Sequence, residues 1–273
     1  MLNLPRSVNS IHSCINIAHR GARAYAPENT LEAFAKAKSF GCEMFELDVR
    51  LSKEGVLVVF HDENLQRCTD VADKFPERSH ADISEFSYDE ICQLDAGSWF
   101  VEQLALLPEQ RQAFLTTLTA QEQAAFINDD ELKHFASGKV KVPTLKEALK
   151  LAMHHDLQVN IELKAVPDDK GFVEAVVALV EALSAECHVL ISSFEHALLQ
   201  QLRACNSTIP LAVLTAEPIE YVIDYLKTFN AAAFHPCCYR TDPVTNKREL
   251  NIDEFQKVRD AGFAVNTCTC NNR

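Results

Sequence analysis

A chain of 273 residues with 47% hydrophobic content can bury a large core, as one barrel or as two smaller domains. Its net charge of −13 argues against nucleic acid and anionic membrane surfaces as partners, so an anionic substrate would have to be drawn in by a local cationic site. Ten cysteines without a single C-x-x-C, no apolar leader over residues 1–14 and no run of transmembrane length point to a soluble protein of a reducing compartment, the cytoplasm.

The first extended segment, residues 15–20, ends in His19-Arg20. Pro27-Glu28-Asn29-Thr30 then opens an amphipathic helix with Leu31, Phe34, Ala35 and Ala37 on one side, stopping at Gly41. Residues 44–49 read as a strand, and 56–60 as another after a turn at 52–55. The link between them is too short for a parallel crossover, which takes about a dozen residues or more. Residues 56–60 are therefore the returning arm of a hairpin with Gly55 in its turn, which places His61 roughly opposite Leu47 or Asp48. Glu46 and Asp48, two apart, share one strand face, so the hairpin carries His61 to their end of the sheet.

Helices are predicted near 88–94 and 144–155. Between them, about 101–139 reads as a helical insertion that packs as a lid-like decoration. Pro108-Glu109 starts it, and Phe114, Leu115, Leu118 and Phe126 form a helical stripe. The strand 158–164 follows, and then the rhythm is regular. Helices at 171–183, 195–205, 218–229 and 252–261 lead to strands at 188–192, 210–214, 231–234 and 263–270. Such alternation favours a parallel sheet with helical crossovers, and at this length one (β/α)8 barrel domain over 1–273 is the leading form.

Chemistry-bearing residues gather at the ends of these strands. Glu46, Asp48 and Glu162 are hard oxygen donors, suited to Mg²⁺ or Ca²⁺ and not to zinc. The apolar Phe45, Leu47 and Val49 bury at least one face of the first pair. Glu162 shares a face with Asn160 and Lys164, where a structural Glu-Lys pair across a barrel interior is the competing reading. His19 and His61 can act as general acid and base, since imidazole titrates near working pH. Arg20 can clamp phosphate with its planar fork, Lys164 can act as a point charge, and His235 at a strand end is a further pocket candidate. His154-His155, Cys237-Cys238 and Cys268/Cys270 read as caps or small buried fillers, and no glycine-rich phosphate loop exists.

The ordered set Ala18-His19-Arg20-Gly21, Pro27-Glu28-Asn29-Thr30, Phe45-Glu46-Leu47-Asp48-Val49 and Phe60-His61-Asp62 resembles the glycerophosphodiester phosphodiesterase family. Leu94-Asp95-Ala96-Gly97, Val142-Pro143-Thr144-Leu145, Ile161-Glu162-Leu163-Lys164 and Ser192-Ser193-Phe194 continue the match, which is most like the soluble bacterial cytoplasmic members. The resemblance implies a TIM barrel that hydrolyses glycerophosphodiesters to sn-glycerol 3-phosphate and an alcohol. It implies a divalent metal on Glu46, Asp48 and Glu162, an acid–base pair of His19 and His61, and phosphate held by Arg20 and Lys164. The partner it implies is a small-molecule glycerophosphodiester, with no nucleic acid and no membrane; oligomeric state is left open.

Two departures from the resemblance stand near the C-terminus. Cys268 replaces an aromatic residue that helps shape the glycerol pocket, so weaker affinity is expected. The barrel strands counted are those carrying His19, Glu46, Glu162, Ser192, Leu214, Phe234 and Thr269, and the chain stops at Arg273. The expectation is a barrel truncated before its last helix and eighth strand, with open edges. The alternatives to an active hydrolase are a catalytically inactive metal-binding fragment and a related phospholipase of the same barrel superfamily.

Overall fold

The computed structural model describes residues 14–167, 171–241 and 248–267. They fall into two units, the first of Asn16–Val159 with Ala165–Phe172 and the second holding Asn160–Lys164 and the described residues after Phe172.

In the first unit, β1 (Ile17–Ala18) runs parallel to a later strand, and the intervening crossover holds α1 (Leu31–Ser39). Thr30 caps α1 by accepting from the Ala33 N–H at 3.2 Å, as its place before the apolar run predicts. Strand β2 (Met44–Leu51) pairs with β1 through Ile17–Met44 and Ala18–Phe45, and Phe34 of α1 stacks on Phe45 with ring centroids 4.2 Å apart. Every residue of β2 is buried, including Glu46, Asp48 and Arg50. Charges kept in such a strand must find partners or a ligand.

The hairpin read from the spacing is present. β3 (Leu57–Val59) returns antiparallel to β2, with Val49 beside Val59 and Leu51 beside Leu57. Gly55 takes φ +86° in the turn, a conformation that favours glycine. The Phe60 N–H donates to the Asp48 carbonyl at 3.0 Å, so the register brings His61 level with Leu47.

The predicted stripe over the helical excursion is not one helix. After α2 (Val71–Lys74) and α3 (Tyr88–Ile91) come α4 (Ser98–Ala105), single 3₁₀ turns at Pro108–Gln110 and Ala113–Leu115, α5 (Ala120–Phe126) and α6 (Asp129–Phe135). Pro108 cannot extend the hydrogen-bond ladder of α4, and Thr119 and Asn128 each restart a helix through reciprocal caps with Glu122 and Glu131. Leu115 and Leu118 are buried as the stripe requires, whereas Phe126 is exposed at the edge of Tyr25 and Phe40. Phe60, Leu65, Phe86, Trp99, Phe100 and Leu115 belong to one buried cluster, so this stretch packs beneath the hairpin arm that ends at His61.

α7 (Leu145–His154) starts at a capping box of Thr144 and Glu147 and leads to β4 (Gln158–Leu163). The Gln158 N–H donates to the Glu43 carbonyl at 2.9 Å, which seats the start of β4 beside β2.

The second unit takes up β4 from Asn160. It continues through α8 (Phe172–Ala182), β5 (Val189–Ser193), α9 (His196–Cys205), β6 (Leu211–Thr215), α10 (Val222–Thr228) and β7 (Ala233–Pro236). A short antiparallel pair, β8 (Tyr239–Thr241) and β9 (Arg248–Leu250), then precedes α11 (Ile252–Asp260) and β10 (Ala264–Val265). The sheet order is β4-β5-β6-β7-β10, with β5–β6, β6–β7 and β7–β10 all parallel. Leu190, Ala212, Ala232 and Ala233 are buried together where these strands adjoin.

α10 begins later than predicted, because Tyr221 adopts φ +52° and stands exposed before it. The β8–β9 pair was not read from the sequence. Residues 268–273, including Cys268 and Cys270, lie outside the described residues. Parallel strands joined by helices make this the α/β class expected, of the TIM-barrel kind.

Candidate active site

The turn after β1 is built around a backbone that only some residues tolerate. Gly21 has φ +77°, and a Cβ there would come within 2.7 Å of Ala33. Arg20 and Asn29 are themselves left-handed, both at φ 56°, which is strain of the sort that concentrates at functional sites. It is held by hydrogen bonds, since the Arg20 N–H donates to Glu46 Oε2 at 2.8 Å and the Asn29 N–H donates to the Arg20 carbonyl at 3.0 Å.

The Arg20 side chain is bound by acids on two sides. Its Nη1 donates to Glu28 Oε1 at 2.9 Å, and its Nε lies 3.5 Å from Asp48 Oδ2. Asn29 Nδ2 donates to the same Asp48 oxygen at 2.8 Å. His19 Nε2 stands 3.8 Å from Glu46 Oε2. Burial, then the charges of Arg23 and Arg20, push the His19 imidazole down to about 3. At neutral pH that ring is uncharged, so its approach to Glu46 is a polar contact and not an ion pair.

His61 begins a second network. Its Nδ1 lies 2.5 Å from Asp62 Oδ1, and Arg67 grips both oxygens of Asp62, Nε to Oδ2 at 2.6 Å and Nη2 to Oδ1 at 3.1 Å. Burial raises the Asp62 carboxyl, but the hydrogen bonds from His61 and Arg67 outweigh it and hold the group well below the usual carboxylate range. Arg67 Nη2 also donates to Glu28 Oε1 at 2.6 Å. Against a raising effect of burial, Arg67 and Arg20 together keep the Glu28 carboxyl low. Arg50, on β2, ties the hairpin arm down by donating to the His61 carbonyl at 2.9 Å and to the Ala165 carbonyl at 2.9 Å.

In the first unit, then, the structure brings His19, Arg20, Glu46 and Asp48 together, with His61 on the adjoining hairpin arm. At the end of β4, Glu162 and Lys164 pair with each other. The sequence reading gave no role to Glu28, Asn29, Asp62, Arg67 or Arg23. Three of these sit in motifs it quoted; Arg67 and Arg23 are lone cations in loops, with no periodicity to single them out.

His235, at the end of β7, is 3% exposed, and Asn266 Nδ2 donates to its Nε2 at 2.8 Å. Burial pushes the ring down to about 3, against about 6.5 for an unperturbed histidine. The unfolded chain therefore gains a proton that the folded one refuses as pH falls through this window. Stability should be level above about pH 6.5 and drop by roughly 1.4 kcal/mol per unit below it. Urea unfolding at about pH 7.5 and about pH 5 measures the drop, and His235→Gln should remove this part of it.

The chain matches the glycerophosphoryl diester phosphodiesterase family over residues 19–273. A glycerophosphodiester phosphodiesterase of Bacillus altitudinis is 32% identical over 221 residues, covering 80% of this chain and 74% of that protein. Among solved structures, a glycerophosphoryl diester phosphodiesterase from Silicibacter pomeroyi covers 100% of this chain and 88% of its own, with a TM-score of 0.75 at 24% identity. A phosphodiesterase from Oleispira antarctica, solved with the product sn-glycerol-3-phosphate, covers 95% and 85% with a TM-score of 0.68 at 25% identity. The family match begins at His19, the first residue of the network built above. This chain belongs to the glycerophosphoryl diester phosphodiesterase family and is a phosphoric diester hydrolase.

Proposed function

We propose that the protein hydrolyses glycerophosphodiesters to sn-glycerol 3-phosphate and an alcohol with the help of a divalent cation, Mg²⁺ or Ca²⁺. The observation that carries this reading is the Arg20 corner. One arginine is fixed by its backbone to Glu46 and by its side chain to Glu28 and Asp48, next to His19, and shares Glu28 with the Arg67–Asp62 pair that holds His61. The Oleispira antarctica structure with its product supports the substrate class.

Glu46, Asp48 and Glu162 would hold the cation. All three are buried and offer only carboxylate oxygen, a donor set that fits Mg²⁺ or Ca²⁺. When bound, such an ion supplies Lewis-acid stabilisation of phosphoryl charge.

The remaining work falls to this chain's own side chains. Arg20 and Lys164 bind non-bridging phosphate oxygens, and Arg20 arrives pre-placed by its acids. The neighbouring glycerol hydroxyl attacks phosphorus and gives its proton to one of the imidazoles of His19 and His61. The other imidazole, already protonated, gives that proton to the departing alkoxide. Water then opens the cyclic phosphate with the two histidines exchanging roles. His235 is buried and engaged with Asn266, so its part in substrate binding would be indirect.

No described helix is long and apolar enough to cross a membrane. The proposal includes a reducing, cytoplasmic setting, in which the described cysteines would stay thiols. The test is release of sn-glycerol 3-phosphate from glycerophosphocholine and glycerophosphoethanolamine, with Mg²⁺ or Ca²⁺ added. Turnover of at least one substrate is expected; failure on both with either metal would sink the reading.

A further inference from the structure

We propose that Arg67 is a positioning residue, one guanidinium that sets the orientations of His61 and Arg20 together. The inference rests on the reading of His61 as an acid–base group and Arg20 as a phosphate ligand. Arg67 belongs to the loop after β3 and reaches three carbonyl-type partners at once. Nε and Nη2 take both oxygens of Asp62, Nη2 also takes Glu28 Oε1, and Nη1 donates to Gln112 Oε1 at 3.0 Å.

The clamp on Asp62 decides what His61 can do. A carboxylate accepting at 2.5 Å from Nδ1 keeps a proton on that nitrogen, which leaves Nε2 as the atom that gives or takes the working proton. Both Asp62 oxygens are committed to Arg67, so the carboxylate cannot rotate without breaking the fork. On the other side, Glu28 Oε1 is shared between Arg67 Nη2 and Arg20 Nη1. A displacement of Arg67 thus moves the partner of His61 and the partner of Arg20 in one step. Lysine would keep the charge but not the plane, since one ammonium cannot present this set of donors in a fixed fork.

Gln112 is the third partner. It lies between the two 3₁₀ turns of the helical stretch, and its own N–H donates to Gln103 Oε1 at 2.7 Å. Arg23, a neighbour in charge to His19, lies over the Phe114 ring at 4.7 Å. The stretch read from the sequence as packing decoration therefore ends on the positioning residue, which gives its irregular geometry a use.

The experiment follows the His61 ring nitrogens by ¹⁵N NMR in the metal-loaded protein, with kcat on glycerophosphocholine, for the parent, Arg67→Lys and Arg67→Gln. The parent should show Nδ1 protonated. Both variants should show mixed tautomers and a kcat lower by about 10- to 100-fold, the usual cost of losing a second partner behind a functional histidine. Asp62→Asn should give the same ring signature. Variants that lose only melting temperature, with ring signals and kcat of the folded protein unchanged, would make Arg67 merely structural and overturn the proposal. Should Arg67→Gln fail to fold, Arg67→Lys decides alone. His61→Ala is assayed beside them. Full activity there removes the acid–base reading, while the ring signals still report whether Arg67 orients His61.

Discussion

Exhaustive chelation is expected to abolish release of glycerol 3-phosphate, and Asp48→Asn to lower kcat/KM by roughly 10²–10³-fold at fixed metal concentration. Asp48 is fully buried and its Oδ2 is approached by both Asn29 and Arg20. The asparagine keeps the size of the side chain while removing the charge a hard cation needs. Raising Mg²⁺ or Ca²⁺ should recover part of the lost activity, because Glu46 and Glu162 would still offer two carboxylates. Calorimetric titration of each metal into the stripped protein and into Asp48→Asn checks the cause separately from turnover. Unchanged activity after complete metal removal would end the metal reading.

His61→Ala and His19→Ala are each expected to lower kcat by about 10²–10⁴-fold, the range of a lost general acid or base. The fold should survive both. Asp62 keeps its two bonds to Arg67 when the His61 ring is gone, and Arg50 holds the backbone at residue 61 through its carbonyl. Neither variant should shift the melting temperature by more than a few degrees, since both rings are about a third exposed. A kcat within twofold of the parent in either variant would show that its histidine carries no proton in the rate-limiting step.

The hairpin was legible because a physical limit on chain length left no other solution. Residues 50–55 cannot span a parallel crossover, and Gly55 marked the turn. The strand-helix rhythm after residue 158 was equally clear as far as β7, since apolar runs and helical faces alternate there; the β8–β9 pair that breaks it carries no such signal. The excursion near 101–139 misled by periodicity alone. Its apolar residues recur at helical spacing, yet Pro108 and the caps at Thr119 and Asn128 divide it into turns and short helices. Tyr221 shortened α10 for a related reason, since its left-handed backbone has no signature in a tyrosine.

By itself the sequence determined which residue types stand at which strand ends, and hence the chemistry available: His19-Arg20, Glu46-x-Asp48, His61 and Glu162-x-Lys164. These depend on local order, because strand pleat and chain length govern which faces and ends they occupy. Only the tertiary structure decided who holds them. Glu28, Asn29, Asp62 and Arg67 reach Arg20, Asp48 and His61 through side-chain hydrogen bonds that follow no sequence period. Their partners are fixed by the packing of a hairpin, a helix cap and an irregular loop against one another, and that packing is settled by the buried core as a whole.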